Sequence, residues 1–131
     1  MNEQELGKVA EIEFKKRAIQ NGFIVSSVIN DRGGYDYIID CGDRLTKVQV
    51  KSTSHISKDR KGISYPIGCL KNGNKSAYDK DDFDFLMIYL HVENLMYIIP
   101  IDKTSKKIRL FPYSKVSKYN KYIDAWDLIR L

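Results

Sequence analysis

The chain has 131 residues, of which 43% are hydrophobic and 30% charged, with 8 Gly, 3 Pro and a formal net charge of +5. Domains usually run to about 100 to 200 residues, so one domain spanning 1–131 is expected, long enough to bury a real core without disulfides or structural metals. This composition excludes collagen-like, low-complexity and disordered chains.

Other classes fall to local features. The longest uninterrupted apolar run, Phe85 to Leu90, is far shorter than the ~20 residues that cross a bilayer. The N-terminal stretch MNEQELGK has no apolar core of a signal peptide. No membrane partner is expected, and neither is export. Cys41 and Cys69 form no CxxC pair, so two free thiols in a reducing cytoplasm are expected and zinc has no signature.

In chain order, residues 3–20 read as a helix. Leu6, Ala10, Phe14 and Ala18 recur at i+4, joined by Val9 and Ile19, and Asn21-Gly22 supplies the stop. Glu11 falls at the edge of that face. Phe23 to Ile29 reads as a strand, followed by a turn at Asn30-Asp31-Arg32-Gly33-Gly34 that needs no further explanation. Tyr35 to Asp40 and Leu45 to Thr53 are two more strands, joined through Cys41-Gly42-Asp43-Arg44. The polar stretch Ser54 to Lys80 is expected to be mobile or ordered by substrate, with one strand at Ile63 to Ile67. Asp84 to His91 and Leu95 to Ile101 are apolar strands around Val92-Glu93-Asn94, the first of them central. Lys107 to Leu110 adds a short edge strand. Tyr119, Tyr122, Ile123, Trp126 and Ile129 predict a C-terminal helix with one apolar side.

The chemistry-bearing residues lie on the second and third strands. If Gly42-Asp43 forms a two-residue turn with glycine first, residues whose numbers sum to 85 face each other, and Asp36 lies opposite Gln49. Side chains alternate along strands, so Tyr37, Ile39, Val48 and Val50 form one apolar layer, while Asp36, Asp40, Gln49 and Lys51 gather on the other face. A carboxylate, an amide oxygen and an ammonium in one patch suit phosphodiester hydrolysis with a hard cation such as Mg²⁺. Asp36, the Gln49 side chain and the Val50 carbonyl would supply oxygen ligands. Lys51 would hold or help deprotonate the attacking water and offset charge on the phosphate, and Glu11 would add a second acid through water. The same spacing also fits an exposed strand face on which Asp36 and Lys51 form a weak surface ion pair. Asp79, Asp81, Asp82 and Asp84 read as capping or turn groups rather than a metal cluster. His55 and His91 have no partner at ligand spacing.

Gly7-Lys8-Val9-Ala10-Glu11 in a first helix, Tyr35-Asp36 opening one strand and Val48-Gln49-Val50-Lys51-Ser52 in the next resemble the PD-(D/E)XK nuclease superfamily. More narrowly, the chain is similar to the small branch containing group I intron homing endonucleases, which carries a Gln-x-Lys variant, and it also resembles archaeal-type Holliday junction resolvases. Tyr78, Asp82-Phe83-Asp84 and Tyr97-Ile98-Ile99-Pro100 fit the same branch, so the resemblance spans residues 7–101. It implies an α/β (α+β) restriction-endonuclease-like mixed sheet flanked by helices, in the order α-β-β-β-(β)-β-β-(β)-α. It also implies Mg²⁺-dependent DNA cleavage, with Mn²⁺ as a substitute, and assigns the motif positions to Asp36, Gln49, Lys51 and Glu11. Two positions depart from the family pattern. Tyr35 stands where the motif's name has proline, and Gln49 stands where most relatives carry an acid. The second removes a negative charge and implies weaker metal affinity, or a catalytically weak or inactive nucleic-acid-binding module on the same fold.

The basic charge is concentrated late in the chain. Seven basic residues and no acidic one lie between Lys103 and Lys121, which gives a basic segment 103–131. Such asymmetry suits a polyanion, with Lys106, Lys107, Arg109, Lys115 and Lys118 as DNA contacts and Lys15 and Lys16 of the first helix extending the surface. A solvated lysine-rich edge explains the charge equally well. One patch cuts one strand, so cutting a duplex or junction symmetrically calls for a homodimer or homotetramer.

Overall fold

The computed structural model describes residues 1–30, 34–71 and 76–131. Asp31, Arg32 and Gly33 of the expected turn lie outside these, as do residues 72–75 of the polar stretch.

Helix α1 spans Glu3–Gln20 and starts on a capping box. The Glu5 N–H donates to Asn2 Oδ1 at 2.9 Å, and the Asn2 N–H donates to Glu5 Oε1 at 3.2 Å. This satisfies two of the four donors that every helix start leaves over. Ala10, Phe14 and Ala18 are buried as their spacing predicts, but Ile19 is 64% exposed and does not belong to the apolar face. The helix ends at Asn21, and Gly22 takes a φ of +85°, a left-handed turn suited to glycine.

Strands β1 (Ile24–Ser27), β2 (Tyr37–Asp40) and β3 (Leu45–Thr53) form the expected meander, the first two shorter than their apolar runs. In β2 and β3, Tyr37 faces Val48, Ile38 faces Lys47, Ile39 faces Thr46 and Asp40 faces Leu45, the register set by the turn. Gly42 has φ +92°, and the Cys41 N–H closes that turn on the Arg44 carbonyl at 2.9 Å. Strands β8 (Phe85–Leu90) and β9 (Leu95–Pro100) complete a five-stranded sheet ordered β1-β2-β3-β8-β9. β3 and β8 run parallel and every other pair is antiparallel. β8 is interior, and its continuous apolar sequence follows from burial on both faces.

One face of this sheet packs on α1: Tyr37, Ile39, Val48, Val50, Met87 and Ile98 meet Ala10, Phe14 and Ala18. The other face carries Leu86, Ile88, Leu90, Tyr97 and Ile99 in a second core with Tyr65, Ile67, Ile108 and Leu110. Here the polar stretch departs from expectation. It folds into β4 (Ser57–Asp59), β5 (Gly62–Gly68), β6 (Leu70–Lys71) and β7 (Ser76–Ala77). β5 lies between β4 and β10 (Lys107–Leu110) in a second, three-stranded sheet. Within β5, Tyr65 and Ile67 are buried and pack against the main sheet.

The C-terminal segment is not one helix. A 3-10 turn at Asn120–Tyr122 and a single helical turn, α2 (Asp127–Arg130), flank Asp124, whose φ is +54°. Tyr119 and Tyr122 join the second core, whereas Trp126 and Ile129 join the α1-facing one. The chain crosses the edge of β9 between them, where Ile123 bridges Tyr97 and the Asp124 N–H donates to the Met96 carbonyl at 2.8 Å. A continuous helix cannot serve both faces of the sheet. Among the described residues, no helix is long and apolar enough to cross a membrane, and Cys41 and Cys69 are free thiols.

Candidate active site

Asp36 lies one residue before β2, held between two strands. Its N–H donates to the Val48 carbonyl at 2.8 Å, and its carbonyl accepts the Val28 N–H at 3.1 Å. Beyond the Tyr37–Val48 pair, the β2–β3 ladder gives way to a side chain: the Val50 N–H donates to Asp36 Oδ2 at 3.2 Å. The carboxylate is thereby set against the Val50 peptide, between the two residues of the Gln-x-Lys pair.

Gln49 and Lys51 alternate with the buried Val48 and Val50 and are both half-buried. In the parallel register their neighbours are Leu86 and Ile88 of β8, members of the second core, so this face lies beside the added sheet rather than open to solvent. Lys51 Nζ stands 5.7 Å from the centre of the Tyr78 ring, a cation–π distance, and makes no ion pair among the described residues. Tyr78 packs edge-on against the buried Phe83 at 4.8 Å. Burial, then the charges of Cys69, Asp36 and Asp82, push its phenol up to about 12. Burial likewise raises the Cys69 thiol to about 11, opposed by the Lys51 ammonium. Both groups stay protonated near neutrality, so neither is a thiolate or phenolate nucleophile.

The segment carrying Tyr78 is tied down by the aspartates. Asp82 pairs with Lys71 Nζ at 2.9 Å and accepts the Asp79 N–H at 2.8 Å. Burial raises its carboxyl pKa, but these bonds outweigh that and hold it below the usual range. Asp79 accepts the Asp81 N–H, and Asp84 accepts the Lys47 N–H. Asp79 and Asp82 therefore act as turn groups, and Asp84 ties its strand to β3. Gly34 has a reason beyond its turn: a Cβ there would lie 2.7 Å from Asp82 Cβ. Lys47 shares the face of Gln49 and Lys51, donates to the Asp81 carbonyl at 2.8 Å and stands over the Tyr35 ring at 5.3 Å.

Glu11 is reached from the opposite side. The Tyr37 hydroxyl donates to Glu11 Oε1 at 2.7 Å, on the α1-facing layer. Lys15 Nζ stands 5.4 Å over the Tyr37 ring, and Lys16 pairs with Glu13 at 3.0 Å. The later basic residues lie elsewhere. Lys107 and Arg109 project from β10 while Ile108 and Leu110 are buried, and Arg109 donates to Ser64 Oγ at 3.0 Å. Lys106 and Lys115 are exposed, and Lys118 stands 5.0 Å over Tyr119 in a cleft of about 330 Å³ shared with Lys103 and Lys121. In the sequence Tyr37 reads as part of the apolar layer and Tyr78 as part of the family pattern, neither with a role at the site, and Lys47 is not singled out, although strand alternation could have put it with Gln49 and Lys51.

Among the described residues, no group of three His, Cys, Asp or Glu side chains is arranged to hold a metal ion. Beside the Asp36 carboxylate on the Val50 N–H, β3 carries two further oxygen-bearing groups, the Gln49 side-chain amide and the Val50 carbonyl. This donor set still fits Mg²⁺, a hard cation that usually takes one or two carboxylates and completes its shell with water and substrate phosphate.

No curated protein matches the chain. Among solved structures, a bacterial homing endonuclease, I-Ssp6803I, is similar with a TM-score of 0.81 and 28% identity, over 99% of this chain and 94% of that one. The Holliday junction resolvase Hjc of Archaeoglobus fulgidus shows a TM-score of 0.49 and 12% identity, over 79% of this chain and 82% of that one. The sequence pattern of the PD-(D/E)XK endonuclease family matches residues 1–129, taking in α1, every described strand and most of the C-terminal segment. With that match over nearly its whole length, the chain belongs to the PD-(D/E)XK endonuclease family.

Proposed function

We propose that this protein is a divalent-metal-dependent DNA endonuclease, acting as a single nuclease domain whose basic segment 103–131 grips the duplex. The observation that carries this reading is the Asp36 carboxylate on the Val50 N–H, beside the strand that presents Gln49 and Lys51. Asp36, the Gln49 amide oxygen and the Val50 carbonyl would hold the cation, Mg²⁺ with Mn²⁺ as a substitute. When bound, it supplies Lewis-acid polarisation of the phosphoryl oxygens and acidifies nearby water. Lys51 holds the attacking water and offsets the negative charge that grows on the phosphate. Water adds to phosphorus, the bond to one sugar oxygen breaks, and that oxygen takes up a proton. Glu11 acts through water, and Gln49 in place of an acid leaves the site with one negative charge fewer.

Lys15, Lys16, Lys106, Lys107, Arg109, Lys115 and Lys118 supply the phosphate contacts. One such centre cuts one strand, so symmetric cleavage requires a homodimer or homotetramer. The two free thiols, Cys41 and Cys69, fit a reducing compartment such as the cytoplasm. The homing endonuclease I-Ssp6803I supports the reading by its 28% identity over nearly the whole of both chains.

Gln49 favours one second reading, a nucleic-acid-binding module without catalysis. Plasmid nicking with Mg²⁺ or Mn²⁺ separates the two. Metal-dependent nicking that Lys51→Ala abolishes supports the enzyme. Salt-sensitive DNA binding with no nicking in either metal supports the module, and nicking that persists in Lys51→Ala refutes the assigned centre.

A further inference from the structure

Tyr37 is 5% exposed, and its ring packs against Phe14 with centroids 5.1 Å apart. A buried phenol needs a partner for its hydroxyl. The partner here is a carboxylate, Glu11, at 2.7 Å. A glutamate on a helix surface otherwise samples several rotamers, and a short charge-assisted bond selects one. Tyr37 also directly follows Asp36 in the chain. Its hydroxyl holds Glu11 by Oε1, not Oε2, and the carboxylate of the neighbouring Asp36 lies on the Val50 N–H.

We infer that Tyr37 is a positioning residue for the cation centre, fixing the Glu11 carboxylate through Oε1 so that Oε2 is the oxygen Glu11 turns toward the cation's water shell. This rests on the metal-dependent nuclease reading. Tyr37 itself touches neither substrate nor cation. Its effect passes through Glu11, as outer partners commonly orient metal-site groups.

The test uses Tyr37→Phe, which removes one oxygen and keeps the ring packing, alongside Glu11→Gln and the double variant. Mn²⁺ binding to the DNA-free protein is read by calorimetry, and the Mg²⁺ dependence of plasmid nicking is read in parallel, with thermal melting as the folding control. Tyr37→Phe is expected to weaken Mn²⁺ binding and raise the half-saturating Mg²⁺ about tenfold, leaving the rate at saturating Mg²⁺ within about twofold. The double variant should be no worse than Glu11→Gln alone, because residues that act through one another are not additive. Wild-type Mn²⁺ affinity and Mg²⁺ dependence in Tyr37→Phe, or full additivity with Glu11→Gln, overturns the inference. If Asp36→Asn abolishes nicking while Tyr37→Phe matches wild type, only the Tyr37 role fails. If Asp36→Asn nicks as well as wild type, the nuclease reading fails, and this inference with it.

Discussion

On the proposed function Asp36 carries two separable burdens, and substitution can pull them apart. Its Oδ2 accepts the Val50 N–H at 3.2 Å where the β2–β3 ladder lacks a backbone partner. Asp36→Ala leaves that donor without its side-chain acceptor, which costs about 1–3 kcal/mol. In a chain of this length the melting temperature should fall by roughly 3–10 °C. Asp36→Asn keeps an acceptor oxygen in nearly the same place and removes the charge, so stability should stay within about 1 kcal/mol of wild type. Activity should behave in the opposite way: loss of the anchoring carboxylate is expected to slow Mg²⁺-dependent nicking at least about 10²-fold, or roughly 2.7 kcal/mol of transition-state stabilisation. Chemical denaturation and single-turnover nicking of the two variants together measure both burdens. An Asp36→Asn protein that nicks within about threefold of wild type at the same Mg²⁺ requirement would show that this carboxylate does not anchor the reaction. An Asp36→Ala protein as stable as wild type would remove its structural role.

Gly34→Ala should destabilise the fold by about 1–3 kcal/mol in urea unfolding, because the new methyl meets Asp82 at 2.7 Å, and adding Asp82→Ala should relieve part of that clash. The Asp82 carboxyl is held below the usual range when folded, so between the unfolded value near 4 and its lower folded value the unfolded chain binds more protons. Stability from this group is complete above about pH 4 and drains away as pH falls through the folded value, and Asp82→Asn should flatten that part of a pH titration of unfolding. Replacing Lys106, Lys107, Arg109, Lys115 and Lys118 by Gln should reduce the slope of log affinity against log salt by about 4.5 if all five meet duplex phosphates. An unchanged slope in a filter-binding titration would place the DNA on another face.

Much of the fold was legible because its causes are short-range. The α1 cap needs only Asn2 and Glu5, three residues apart, and the β2–β3 register needs only Gly42 with φ above zero and the alternation of Tyr37, Ile39, Val48 and Val50. The motif spacing that places Asp36 beside the Gln49–Lys51 strand follows from the same hairpin. Other features depend on residues far apart in the chain. Lys107 to Leu110 pair with Tyr65 to Gly68 across some forty positions, turning a polar stretch into a sheet whose inner residues cap the second core. Tyr119 and Trp126 have helical spacing, yet they bury on opposite faces of one sheet, so the backbone breaks at Asp124. The bonds from Tyr37 to Glu11 and from Lys71 to Asp82, and the close approach of Gly34 to Asp82, likewise form only once helix, meander and loop have packed. Hydrogen-bond geometry and side-chain alternation act between near neighbours and can be read from their order. Which distant surfaces meet is decided by burial of apolar area over the whole chain, and only the folded molecule records that outcome.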